Sequence, residues 1–172
     1  MSKVIDALNE QINKEFYSAY MYLSMSAHFS DLGLPGFANW MHIQAKEEMT
    51  HAMKIYHYIL SRQARVILTP IDTAKTLIMW ESPLEVFEAS LEHERFVTAS
   101  INDIVTLAIA EKDHATQIFL NWFVTEQVEE EESFSETINA LRLINDNGYG
   151  LLMLDRELGA RVFVDETAAA GN

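Results

Sequence analysis

Glu47-Glu48-Met49-Thr50-His51-Ala52 places Glu48 and His51 three residues apart in a segment whose apolar residues recur at helical spacing. In a helix that separation stacks the two side chains one turn apart on a single face, so that both can converge on one ion. The same face reads Met41, Ala45, Glu48, Ala52, Ile55, Ile59, in alternating steps of four and three. Such a stripe faces the centre of a helical bundle. A carboxylate therefore interrupts a surface that packing would keep dry.

Three further segments repeat the pattern. The first runs Ile5, Leu8, Ile12, Glu15, Ala19, Tyr22, Ser26, Phe29, and the third runs Leu84, Phe87, Leu91, Glu94, Thr98, Ile101, Val105, Ala108. The fourth runs Thr116, Leu120, Phe123, Gln127, Glu130, Phe134, Thr137, Leu141, Ile144, with two polar intruders. Long helices are predicted near 4–30, 35–61, 84–110 and 114–144, with no strand-like alternation between them. The fold class is all-α.

Asp31-Leu32-Gly33-Leu34-Pro35-Gly36 joins the first two helices by a stop signal and a first-turn proline, and Glu111-Lys112-Asp113 joins the last two. Both connections are short enough to make antiparallel hairpins. Residues 62–82, ending in the helix start Ser82-Pro83-Leu84-Glu85, are too long for a turn. At ~3.3 Å per residue they reach about 70 Å, against about 40 Å for a 27-residue helix. A crossover running the length of the bundle is expected. After Asn145-Asp146-Asn147-Gly148 a short helix is predicted within about 148–158, amphipathic from Leu151 to Leu158, followed by a small-residue tail expected to be flexible over 164–172. The whole chain, 1–172, reads as a single domain.

The absence of cysteine excludes disulfides and thiolate-held metal, leaving oxygen and imidazole as ligands. A formal charge of −14 opposes nucleic acid and anionic membrane and favours cations. Neither a secretion signal nor an apolar run of membrane-spanning length is visible, so a soluble cytoplasmic protein is expected.

Residues equidistant from a hairpin turn lie side by side. Reflecting Glu15 about residue 32 lands near 49, beside Glu48, and reflecting Glu94 about residue 112 lands near 130, on Glu130. Burying four ionised carboxylates together costs several kcal/mol apiece unless cations neutralise them. Two divalent ions sharing Glu48 and Glu130, completed by Glu15, His51 and Glu94, meet that need, an arrangement known from di-iron and di-manganese bundles. The alternative is a metal-free scaffold whose polar residues only fix helix register. Tyr22 lies two turns from Glu15 on the same stripe, either as core packing or as an electron donor. Glu126 and Glu129, with Glu47, form either a third, weaker cation site or plain surface acidity.

Over about residues 3–158 the sequence resembles the non-haem ferritins of bacteria and archaea. The resemblance rests on Leu8 to Ser18, on Glu47 to Ala52, on Glu92-His93-Glu94, on Phe119-Leu120-Asn121-Trp122-Phe123 and on Glu126 to Glu131. It implies a ferritin-like four-helix bundle, with a long crossover between helices two and three and a short fifth helix. It also implies a ferroxidase centre that oxidises ferrous iron with dioxygen or peroxide, for storage and detoxification. There Glu15, Glu48 and His51 hold one iron, and Glu48, Glu94 and Glu130 hold the other, with Glu48 bridging and Gln127 nearby. Two irons per subunit are thus implied, with a third site at Glu47, Glu126, Glu129 and Glu130, and with Tyr22 as the tyrosine beside the centre. The family assembles as hollow shells of twenty-four copies with the last helix at the four-fold axes, where Asp155, Arg156 and Glu157 are candidate contacts. The nearest rival is a haem-binding bacterioferritin, because Met49 follows Glu48 directly. A second Glu-x-x-His would accompany it, and this chain has Gln127-Val128-Glu129-Glu130 instead, so no haem is expected.

Overall fold

A computed structural model describes residues 2–72, 79–145, 147–165 and 167. Among the described residues there are five helices and no strand: α1 (Lys3–Asp31), α2 (Pro35–Ser61), α3 (Pro83–Ala110), α4 (His114–Ile144) and α5 (Gly148–Leu158). The four long helices begin and end within a residue of the expected bounds, because each boundary carries its own local signal.

Gly33 turns the chain between α1 and α2 at φ 72°, a conformation that costs glycine nothing. Pro35 opens α2, where a missing N–H leaves no bond unmade. At α3 the Ser82 hydroxyl accepts from Glu85 N at 3.2 Å, while the Glu85 carboxylate accepts from Glu81 N at 2.7 Å. Asp113 caps α4 by accepting from Thr116 N at 3.2 Å. Asn147 caps α5 by accepting from the amides of Tyr149 and Gly150. Asp146 of the expected stop lies outside the described residues.

The connection from α2 to α3 runs along α1. Asn9 accepts from Ile67 N at 2.7 Å and donates to Arg65 O at 3.2 Å, and farther up the helix Asn13 donates to Pro70 O. Trp80 then meets the ring of His28 near the far end of α1. The chain thus travels the length of the bundle before α3 begins, so α3 runs parallel to α2 and antiparallel to α4. This is the expected crossover, although residues 73–78 lie outside the described residues, as do 166 and 168–172 of the expected flexible tail. No described helix is long and apolar enough to cross a membrane.

The core is divided. One apolar cluster gathers Val4, Leu8, Ile12, Ile55, Ile101, Leu120 and Phe123, and the other gathers Tyr22, Phe29, Phe37, Met41, Phe87 and Phe134. In every long helix the break between them falls at the polar seam residues. Apolar burial holds the two halves, at roughly 25 cal/mol per Å² of surface removed from water, and leaves a polar waist for another purpose.

Candidate metal centre

Glu15, Glu48, His51, Glu94, Gln127 and Glu130 are all buried, none exposing more than 5% of its surface. Glu15, Glu48 and His51 each offer a ligand atom within 4.8 Å of the others, and His51, Glu126 and Glu130 form a second such group. His51 joins the two groups, with Nδ1 3.6 Å from Glu48 Oε2 and Nε2 3.9 Å from Glu126 Oε1. The matched height expected for Glu15 and Glu48 is present in this geometry, while Glu94 falls in neither group.

Amide side chains aim the carboxylates. Gln11 Nε2 donates to Glu15 Oε1 at 2.8 Å, and Ser100 Oγ, which accepts from Lys14 Nζ, donates to Gln11 Oε1 at 2.6 Å. Gln44 Nε2 donates to Glu130 Oε2 at 2.6 Å and lies 3.4 Å from Glu48 Oε1. Gln127 Nε2 donates to Glu94 Oε2 at 3.0 Å, and the Tyr22 hydroxyl donates to Glu94 Oε1. Tyr22 also stacks on Phe134, so it both packs and reaches the site. Neither Gln11 nor Gln44 is singled out by the seams. A signal for them exists: each stands four residues before its glutamate, as Gln11-x-x-x-Glu15 and Gln44-x-x-x-Glu48, the spacing at which helical side chains meet.

These donors do not balance the charge. Burial, then the neighbouring Glu94 and Glu15, raise the Glu48 pKa well above the ordinary carboxylate range. Burial, then Glu94 and Glu48, raise that of Glu130 likewise. Burial lifts Glu94 to about 7, against the opposing pull of the Tyr22 and Gln127 hydrogen bonds. Glu15 Oε2 is buried and has no hydrogen-bond partner. A dication at this waist would relieve both the repulsion among these carboxyls and the unpaired oxygen.

A pH dependence follows. A carboxyl whose folded pKa exceeds its unfolded value favours folding fully below the unfolded value and ceases to do so as pH rises through the folded one. For Glu94 the window is 4.5 to about 7, equivalent to about 3 kcal/mol. The melting temperature of metal-free protein in chelator should therefore fall from pH 5 to pH 8. Glu94→Gln should flatten that slope, and zinc should restore stability more at pH 8 than at pH 5. A slope unchanged in Glu94→Gln would show that this carboxyl is not the titrating group.

The residues expected at a third position are placed unequally. Glu126 stands with His51 and Glu130, since four residues bring Glu126 and Glu130 to one face. Glu129 is exposed, a quarter turn away and outside both groups. Glu47 is half-buried and accepts from Arg161 Nη2 at 2.5 Å. Of the candidate four-fold contacts, Arg156 and Glu157 are exposed. Asp155 is instead buried within its own chain, accepting from Gly36 N and Phe37 N at the start of α2.

Comparison with known proteins gives a concordant result. The sequence profile of the ferritin-like domain matches residues 5–144. The bacterial non-heme ferritin of Staphylococcus saprophyticus is 45% identical over 161 residues, covering 94% of this chain and 95% of the relative. That of Staphylococcus aureus is 42% identical over 163 residues, covering 95% and 97%. Among solved structures, a closed form of the Archaeoglobus fulgidus ferritin engineered by site-directed mutagenesis superposes with a TM-score of 0.92 at 47% identity, covering 95% of this chain and 99% of that one. The open-pore ferritin of Archaeoglobus fulgidus gives 0.91 at 47% identity, covering 94% and 99%. With a divided helical core, a buried carboxylate and histidine layer at its waist, and these relatives along nearly its whole length, the chain belongs to the ferritin family.

Proposed function

We propose that this protein stores iron, binding ferrous ions in the waist of the bundle, oxidising them there and passing the ferric product to a mineral. The observation that carries the reading is the buried group of Glu15, Glu48 and His51, whose ligand atoms lie within 4.8 Å of one another. Glu15, Glu48 and His51 hold one ferrous ion, and Glu48, Glu94 and Glu130 the other, with Gln127 orienting Glu94. Oxygen-rich ligation of this kind suits iron.

Each ferrous ion gives up one electron. Together the pair reduces dioxygen to hydrogen peroxide, or peroxide to two waters, consuming two protons in either case. Burial disposes Glu48, Glu94 and Glu130 toward the protonated form, and a ligating carboxylate must be ionised, so metal binding drives their deprotonation. Ferric iron then hydrolyses to hydrated oxide. Tyr22, whose hydroxyl donates to Glu94, would hold that carboxylate at the centre. A third cation position would be formed by Glu47, Glu126, Glu129 and Glu130, a reading supported by the grouping of Glu126 and Glu130 with His51.

The proposed setting is cytoplasmic, in a hollow shell of twenty-four copies, without haem, nucleic acid or membrane as partners. Support for assembly lies at the corner of α4 and α5, where Leu143, Tyr149, Leu152 and Met153 are exposed. Another copy would cover such a surface. The test is rapid mixing of metal-free protein with ferrous iron in air, read in the near ultraviolet. A fast phase that saturates at two irons per chain supports the reading, and slow autoxidation alone overturns it. A visible spectrum of the purified protein without a haem band supports the non-haem assignment, and such a band overturns it.

A further inference from the structure

Beyond α5 the chain does not leave the bundle. It turns back at Gly159 and lies along α2, where Asn39 Nδ2 donates to Arg161 O at 3.0 Å and Lys46 Nζ sits 6.0 Å from the Phe163 ring. Farther on, Asp165 lies with Lys54 and Met53 beside a shared cavity. This strap carries one guanidinium inward. Arg161 stacks over the Trp40 indole at 4.3 Å, donates through Nη1 to Gln44 Oε1 at 2.9 Å, and donates through Nη2 to Glu47 Oε2 at 2.5 Å. Its side chain is 24% exposed and that of Glu47 18%.

Both partners bear on the metal centre. Gln44 accepts from Arg161 through its oxygen, which turns its N–H group toward Glu130 and Glu48. A flipped amide would set its oxygen against two carboxylates, so the guanidinium selects the productive orientation. Glu47 precedes Glu48 in the chain, and its charge acts on Glu130, a member of the group formed by His51, Glu126 and Glu130. There Arg161 supplies the positive charge that a cation would otherwise bring. A planar fork on an amide and a carboxylate at once is geometry that arginine meets and lysine does not.

We propose that Arg161 is a positioning residue of the iron site, one that fixes Gln44 and competes with a cation for Glu47, so that the strap after α5 keeps the third metal position weak until iron displaces it. The inference rests on the iron-oxidation reading above. In it, the pair of irons forms first, and a further ion takes Glu47 only by releasing the guanidinium. The strap thereby couples the end of α5 to the order in which ions fill the site.

The test is equilibrium titration of full-length, assembled, metal-free protein with zinc ions, read by calorimetry. Wild type should show two tight sites per chain and a third, weak one. In Arg161→Ala the third should tighten roughly tenfold, the scale of one hydrogen bond to a charged group. Arg161→Lys, which keeps the charge beside Glu47, should leave it weak. Adding Glu47→Gln to Arg161→Ala should abolish the gain. An unchanged third affinity in Arg161→Ala at wild-type melting temperature overturns the inference, as does a gain that survives Glu47→Gln. Should Arg161→Ala fail to fold, Arg161→Met, which keeps the aliphatic stem beside Trp40 without the charge, takes its place: its third site must tighten likewise, and an unchanged affinity there overturns the proposal. Absence of the two tight sites in wild type would instead overturn the iron-site reading itself.

Discussion

Glu48→Gln should slow the fast phase of iron oxidation at least about 100-fold, some 2.7 kcal/mol of barrier, while raising the melting temperature of the metal-free protein at pH 8. The two signs have one cause. Glu48 is fully desolvated, faces His51 Nδ1 at 3.6 Å and Gln44 Nε2 at 3.4 Å, and lies close enough to Glu94 and Glu15 for their charges to raise its pKa. Ionised, it destabilises the empty bundle; in the proposed site it is the ligand shared by two ions, and its loss would separate them. Glutamine keeps the volume and the hydrogen bonding but carries no charge, so the empty core relaxes and the dication loses its bridge. Stopped-flow absorbance and calorimetry on the same preparation check both signs. Oxidation at the wild-type rate would remove Glu48 from the site. A melting temperature that falls would show that its charge is already compensated in the metal-free protein.

The register of this site was legible because helices are periodic. Stepping by three and four assigns Glu15, Glu48, Glu94 and Glu130 to one interior, and a hairpin turn fixes their heights, since each residue adds a constant rise. The same periodicity is silent where the side chain is long or the run is uniform. Glu129 and Glu126 belong to an acidic stretch that covers every face of α4, and only the relation of Glu126 to Glu130 through one turn selects between them. Gln11 and Gln44 carried a spacing signal, but amides are common on helix surfaces, and their role depends on the carboxylates across the core. Arg161 carried none. It follows α5 in a stretch without periodicity, and reaches Glu47 only because the chain reverses at Gly159. Asp155 likewise reads as one charge in a short amphipathic helix until α5 docks against the start of α2.

That docking gives the second large effect. Gly36→Ala should destabilise the protein by about 3 kcal/mol, even though alanine favours a helix by about 1 kcal/mol over glycine. A Cβ on Gly36 would lie 1.6 Å from the Asp155 carbonyl oxygen and 2.5 Å from its carbon. The obstacle is backbone, so no rotamer relieves it and α5 must move. Moving α5 withdraws the Asp155 carboxylate from Gly36 N at 2.8 Å and Phe37 N at 3.1 Å, an anion at a helix start, and uncovers Leu154 and Leu158. Asp155→Asn, which keeps shape and loses charge, should cost only about 1 kcal/mol. Thermal unfolding orders the two variants, and limited proteolysis near residues 145–160 should cut Gly36→Ala first. The strap begins where α5 ends, so its displacement should also lift Arg161 from Glu47. Gly36→Ala would then tighten the third zinc site as Arg161→Ala does, although residue 36 touches neither the guanidinium nor the metal ligands. Tightening in Arg161→Ala but not in Gly36→Ala would mean that Arg161 holds its place through Trp40, Gln44 and Glu47 alone, independently of α5.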